Sequence, residues 1–177
     1  MEDVNRQTVE ANSANREYIL NNVVKNKDTV LLIEYASEEL RGDKEIMLEA
    51  VRTNPVSLEF AAKNIKDDKQ IILEAVEKIG WEICYASERL QADRDVALAA
   101  VKSDGQALYY VSEQLRDDDE VVLEAVKNKG LIYKYASKRL RGNKEIAMEA
   151  IKNDKRANGF ITEELKESNF GDASKNC

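Results

Sequence analysis

Few residues of this chain have the chemistry that catalysis needs. The sequence contains no histidine, so the commonest general base and the commonest metal ligand are missing. Cys84 is the one cysteine before the last residue, Cys177, and a thiol needs a neighbouring base to act as a nucleophile. Serine recurs at one spacing, at Ser37, Ser87, Ser112 and Ser137. Identical placement favours packing by a small side chain, so we expect no enzyme; an enzyme with an unrecognised site is the alternative.

An acidic cluster at 117–120 is the strongest candidate for a metal site. Carboxylates are ligands for hard cations, but this run lacks the alternating spacing and central glycine of a calcium loop. The equivalent positions elsewhere carry Asp67-Asp68 and Ala92-Asp93, so helix capping accounts for the acids. The chain also has no glycine-rich phosphate loop. We predict neither a metal nor a cofactor.

A basic section at 127–144 contains seven Lys and Arg residues and no acid, and it follows the acidic section 113–124. Such a section can attract a complementary protein. A phosphate-rich ligand, RNA or anionic lipid, is the alternative. The whole chain has 34 acidic and 27 basic residues, a net charge of −7, which argues against general nucleic-acid binding.

An aromatic residue recurs every 25 positions. It could stack on bases or, as we favour, pack between successive helices with hydroxyls at the rim. The members are Tyr35, Phe60, Tyr85, Tyr110, Tyr135 and Phe160.

These spacings arise because the chain is a repeat. Five blocks of 25 residues begin at Asp43, Asp68, Asp93, Asp118 and Asn143. Residues 15–42 form a looser copy, so the repeat covers 15–167. The flanks 1–14 and 168–177 are polar and are predicted to be loose tails.

Each block predicts two short helices. The first follows an Asp or Asn cap and ends near Gly80, Gly105 or Gly130, expected as left-handed residues, or near Pro55. The second helix has about ten residues, with apolar residues at i, i+3 and i+7, such as Leu58, Ala61 and Ile65. Because an α-helix turns by about 100° per residue, these positions lie on one side of it. Helices this short need neighbours to bury them. We predict an all-α fold, an α-solenoid of about six 25-residue helical hairpins.

The run Asp-Lys-Glu-Ile-x-Leu-Glu-Ala-Val-Lys followed by Tyr-Ala-Ser-x-x-Leu, clearest at 118–140 and 68–90, resembles an uncharacterised helical-repeat family. This is the domain of unknown function numbered 4116, found in intracellular bacterial pathogens such as Legionella and in protists. The resemblance implies a bacterial effector acting in a host cell, and no activity or site residue.

Residues 163–167 are similar to the glutamate-rich block of type IV secretion substrates. Because Glu163 and Glu164 occupy the repeat positions of Glu38 and Glu39, the repeat explains them equally well. The sequence has no run of eighteen apolar residues, so we predict no membrane span. We expect a cytoplasmic protein, with secretion into a host cell by a type IV system as the alternative.

A stripe on the predicted second helices faces away from the core, and its apolar residues are typical of an interface. The predicted partner-binding residues are Leu31, Val56, Trp81, Cys84, Tyr109, Leu131, Lys134, Lys138 and Arg141. Curvature of the stack that buries them is the alternative. We therefore predict a non-catalytic protein–protein interaction module whose protein partner the sequence does not identify.

Overall fold

The computed structural model describes residues 5–25 and 28–170. Every regular element in these two ranges is helical and none is a strand, which confirms the all-α prediction. The remaining residues of the two predicted tails, 1–4 and 171–177 with Cys177, lie outside the described residues.

Blocks 2 to 6, at 43–67, 68–92, 93–117, 118–142 and 143–167, share one order of elements: a long α-helix, a 3₁₀ helix and a short helix. The long helices are Lys44–Thr53, Lys69–Val76, Arg94–Ser103, Asp119–Asn128 and Lys144–Asn153. The 3₁₀ helices are Pro55–Phe60, Gly80–Tyr85, Gly105–Tyr109, Gly130–Tyr135 and Lys155–Phe160. The short helices are Lys63–Lys66, Glu88–Gln91, Leu115–Asp117, Lys138–Arg141 and Glu163–Leu165. Block 1, at 15–42, has helices Arg16–Val23, Thr29–Tyr35 and Glu38–Arg41.

The long helices begin where the capping residues predict. The Asp43 carboxylate accepts hydrogen bonds from the backbone N–H groups of Glu45 and Ile46, at 3.0 and 3.1 Å. Asp68, Asp93, Asp118 and Asn143 cap their helices in the same way. Each helix then buries an apolar stripe against the long helices of the adjacent blocks, as Ile46, Met47, Ala50 and Val51 do in block 2. The capping residue therefore sets where each long helix begins, and the apolar period sets which side of it is buried.

The predicted second helix is wrong, because the chain leaves helical geometry within it. After the 3₁₀ helix of block 2, Ala61 is extended, with φ −61° and ψ 145°, and a separate short helix follows. The recurring serines cause the new start: the Ser87 hydroxyl accepts a hydrogen bond from the Leu90 N–H, and Ser137 caps Leu140 likewise. These serines are therefore helix caps, and the packing role predicted for them is replaced by capping.

The glycines have a different role from the predicted one. Gly80, Gly105 and Gly130 are the first residues of 3₁₀ helices, and none of them has a left-handed backbone. A Cβ atom on Gly105 would lie 2.5 Å from the carbonyl oxygen of Ala125 in the next block. Glycine is needed at this position because two backbones approach closely.

Backbone hydrogen bonds connect each block to the next. In blocks 2 to 6, a residue between the 3₁₀ helix and the short helix donates its backbone N–H to the carbonyl of one of the last two residues of the preceding block's short helix. Examples are Ala62 to Arg41 at 3.0 Å and Ser87 to Lys66 at 2.8 Å. The same contact recurs from Ser112 to Gln91, Ser137 to Arg116 and Thr162 to Arg141.

An ion-pair ladder also joins the starts of the long helices. The first residue of one helix is basic and pairs with the capping Asp of the next. The pairs are Arg16–Asp43 at 2.7 Å, Lys44–Asp68 at 2.7 Å, Lys69–Asp93 at 2.8 Å and Arg94–Asp118 at 2.9 Å. In block 5 this position is Asp119, the next cap is the neutral Asn143, and Asp119 instead pairs with Arg139 at 2.8 Å. The junction of blocks 5 and 6 is thus the one step of the ladder without a basic residue, and there the acidic Asp119 faces the neutral cap Asn143.

The N-terminal boundary differs from the prediction. Residues 6–11, part of the expected tail at 1–14, form the helix Arg6–Ala11, which Asn5 caps. Val9 of this helix is fully buried, and Ser13 accepts a backbone hydrogen bond from Ser37. The segment therefore covers the first block. At the other end, residues 166–170 form a π-helical turn that runs into the predicted tail at 168–177.

Candidate protein-binding face

The 3₁₀ helices present one side of the array. They contact one another in sequence from block to block, so their outer sides lie next to each other. In a 3₁₀ helix residues i and i+3 are eclipsed, so two side chains of each helix share the outer side. We call this surface the 3₁₀ face; its residues are Val56, Glu59, Trp81, Cys84, Gln106, Tyr109, Leu131 and Lys134.

Two large aromatic residues of this face are exposed. Trp81 is 43% exposed and Tyr109 is 51% exposed, so curvature of the stack does not bury them. Val56, Cys84 and Leu131 are half-buried and Lys134 is exposed. Leu31, also half-buried, lies on the α-helix Thr29–Tyr35, which replaces the 3₁₀ helix in block 1.

The exposed rings belong to an aromatic cluster that spans blocks 3 to 5. Trp81 contacts Tyr110 edge-on, with ring centroids 4.9 Å apart and an interplanar angle of 89°. Tyr109 contacts both Tyr110 and Tyr135 at 4.9 Å. The recurring aromatic residues are half-buried against the core, so they hold Trp81 and Tyr109 in place.

Lys138 and Arg141, which the sequence placed on the same stripe, lie on the following short helix. Lys138 pairs with Glu164 at 3.2 Å. The Nε atom of Arg141 is buried without a hydrogen-bond partner, and its backbone carbonyl accepts a 2.7 Å hydrogen bond from Tyr133. Six of the nine predicted residues therefore lie on the 3₁₀ face, Leu31 lies on the helix Thr29–Tyr35, and Lys138 and Arg141 lie on the short helix Lys138–Arg141.

Three of the seven basic residues at 127–144, namely Lys127, Lys138 and Arg139, form ion pairs with acids of the same chain. Arg139 pairs with Asp117 at 2.9 Å and with Asp119, and Lys127 pairs with Glu124 at 2.8 Å. A shallow cavity of about 410 Å³ beside Lys138 and Arg139 is lined by Glu164 as well. These acids oppose a phosphate ligand at this place.

A buried carboxyl group lies behind the 3₁₀ face. Glu82 is only 2% exposed, and its Oε2 atom has no hydrogen-bond partner. Burial, with the nearby negative charge of Glu59, raises the pKa of Glu82 to about 7. The sequence offered one signal for it: the equivalent positions are Leu32, Ser57, Ala107, Ile132 and Ala157, none of them charged.

The neighbouring thiol is not activated. Burial is the main cause that raises the pKa of Cys84 to about 11, and the charges of Glu82 and Glu59 raise it further. Cys84 is therefore protonated at neutral pH, the opposite of a catalytic cysteine. In the described ranges, no group of three or more Cys, Asp or Glu side chains is arranged to hold a metal ion.

The fold and this face define an all-α repeat protein. In a comparison with protein-family models, the model described as Domain of unknown function (DUF4116) matches residues 15–66, 68–116 and 118–166. The chain belongs to this family, and each match spans two consecutive blocks of the repeat. Comparison with curated proteins and with solved structures finds no match. None of the helices described is long and apolar enough to cross a membrane.

Proposed function

We propose that this chain is a non-catalytic protein-interaction module that binds its partner through the 3₁₀ face. The observation that carries the proposal is the exposure of Trp81 and Tyr109 on consecutive blocks, where both rings contact Tyr110. Trp and Tyr are the residues most enriched at binding hot spots, and an exposed apolar cluster is typical of an interface. The protonated state of Cys84 and the lack of histidine support the non-catalytic part of the proposal.

This function is tested by comparing the proteins that the wild type and the double variant Trp81→Ala, Tyr109→Ala capture from a host-cell lysate. We expect loss of the captured partner. Because the double variant also loses three edge-on ring contacts, each worth about 0.5–1.5 kcal/mol, capture is compared at a temperature at which both proteins are folded. Met148→Ala is the matched control, since Met148 is 45% exposed on the long helix of block 6, away from the face. Undiminished capture by the double variant would refute the face as the binding site.

The proposal includes a role as a bacterial effector that acts in a host cell. Its support is the family resemblance and the glutamate-rich segment at 163–167. Glu164 pairs with Lys138 and Glu163 pairs with Lys166 at 2.7 Å, so this segment also serves the fold. A translocation reporter fused to the N-terminus, with and without Glu163→Ala and Glu164→Ala, tests export; no delivery of the wild-type fusion would contradict it.

A further inference from the structure

The 3₁₀ face changes charge from block to block. The position occupied by Glu59 in block 2 is Cys84 in block 3, Tyr109 in block 4 and Lys134 in block 5. Glu59 and Lys134 are both exposed, and the two positions between them hold the protonated Cys84 thiol and the Tyr109 ring. One row of side chains therefore runs from an acid, through a thiol and an exposed aromatic ring, to a base.

The two charged ends have different surroundings. The exposed Glu59 carboxylate makes no ion pair at 4.0 Å or less with the described bases, although the Lys66 ammonium lies nearby and donates a hydrogen bond to the Glu59 backbone carbonyl at 2.7 Å. The Lys134 ammonium lies 4.7 Å from the centre of the Tyr135 ring, and it makes no ion pair with the described acids at 4.0 Å or less. Each end can thus accept an opposite charge from a ligand.

The spacing of the row suits one conformation of a linear ligand. Successive 3₁₀ helices are in contact, and packed α-helices lie about 8–10 Å apart, which we take as the advance of the row per block. A polyproline II peptide rises about 3.1 Å per residue with three residues per turn, which brings every third side chain to one side at about 9.3 Å. A β-strand repeats its side chains at about 6.6 Å instead. Aromatic surfaces are a common docking site for polyproline II segments.

Resting on the proposed function, we infer that the 3₁₀ face binds a polyproline II segment of its partner. A basic side chain at the first position pairs with Glu59, apolar side chains three and six residues away contact Trp81 and Tyr109, and an acidic side chain nine residues away pairs with Lys134. The segment spans about 28 Å, three steps of the array.

Three peptides of ten residues test this inference: Lys-Pro-Pro-Leu-Pro-Pro-Leu-Pro-Pro-Asp, its analogue with Lys at both ends, and its analogue with Asp at both ends. Because a polyproline II ligand can dock in either chain direction, the end charges rather than their order are varied. Trp81 is the single tryptophan of the chain and lies within the face, so its fluorescence reports binding. We expect the mixed peptide to bind about fivefold more tightly than either analogue, the upper range for one exposed ion pair.

Charge-reversal variants make the prediction independent of absolute affinity. Glu59→Lys is expected to prefer the peptide with two Asp ends, and Lys134→Glu the peptide with two Lys ends. Removing one proline between the leucines shifts the register and is expected to weaken binding to the wild-type protein. Preferences that do not follow these reversals, or no fluorescence change with any peptide, would overturn the inference. The proposed function fails separately, if the Trp81→Ala, Tyr109→Ala variant still captures the partner.

Discussion

Replacing Glu82 by Gln should stabilise the protein at alkaline pH and leave it nearly unchanged in acid. The pKa of this buried carboxyl rises from its ordinary value of 4.5 to about 7. Between pH 4.5 and about 7, Glu82 is therefore protonated in the native state and ionised in the unfolded chain. Stability from this group is complete below pH 4.5 and is lost progressively as the pH rises to about 7.

The magnitude follows from the same interval. Each pH unit over which the native state holds one extra proton is worth about 1.4 kcal/mol, so ionisation of Glu82 costs about 3 kcal/mol by pH 8. Glutamine has nearly the same shape and does not ionise. We therefore expect Glu82→Gln to be more stable than wild type by about 3 kcal/mol at pH 8, a rise in melting temperature of roughly 6–12 °C.

Urea unfolding of both proteins at pH 5, 6, 7 and 8 measures this difference. The capping carboxylates, such as Asp43 and Asp118, have lowered pKa values because of hydrogen bonds to Arg16 and Arg94, and they cancel because both proteins contain them. Glu88→Gln, at an exposed site in the same block, is the control and should show no such trend. A stability difference that stays constant from pH 5 to pH 8 would show that Glu82 is not a buried, neutral acid.

Three further substitutions test the contacts between and within blocks. Gly105→Ala should lower the free energy of unfolding by about 2 kcal/mol, because its Cβ atom would meet the next block's backbone, whereas Gly159→Ala has open space and should be neutral in the same denaturant series. Ala62→Ser should add about 1 kcal/mol, because the short helix of block 2 lacks a side-chain cap; an unchanged melting temperature would count against the capping role. Arg94→Asp should destabilise at low salt by opposing Asp118, and adding Asp118→Asn should restore part of the loss; a cycle in which the two changes simply add would contradict this pairing.

Much of the fold could be predicted from local signals. Asp43 and its equivalents identify the long helices because a cap acts within three residues of itself. The 3₁₀ helices could not be predicted from the apolar period alone, since Leu58, Ala61 and Ile65 fit one side of an α-helix. The signal that was available is a serine such as Ser87 three residues before an apolar position, which is a helix start within a supposed helix.

The rest depended on contacts between blocks. Gly105 resembles a helix terminator in the sequence, but its role comes from the carbonyl of Ala125, twenty positions later. For the candidate face, eclipsing of i and i+3 in a 3₁₀ helix keeps Trp81 beside Cys84, so the predicted stripe survives the change of helix type. Lys138 and Arg141 are not part of a 3₁₀ helix, because they lie on the short helix that follows the extended residue Ala136.

The missing rung of the ion-pair ladder affects how such an array can lengthen by tandem duplication. A second copy of block 4 would place Arg94 opposite a duplicate of Asp93, so the new junction would carry an ordinary ion pair. A second copy of block 5 would place Asp119 opposite a duplicate of Asp118, and the new junction would bring two carboxylates together. Asp119 with Asn143 therefore marks a junction at which insertion of an identical block 5 would cost an ion pair and add a repulsion between carboxylates.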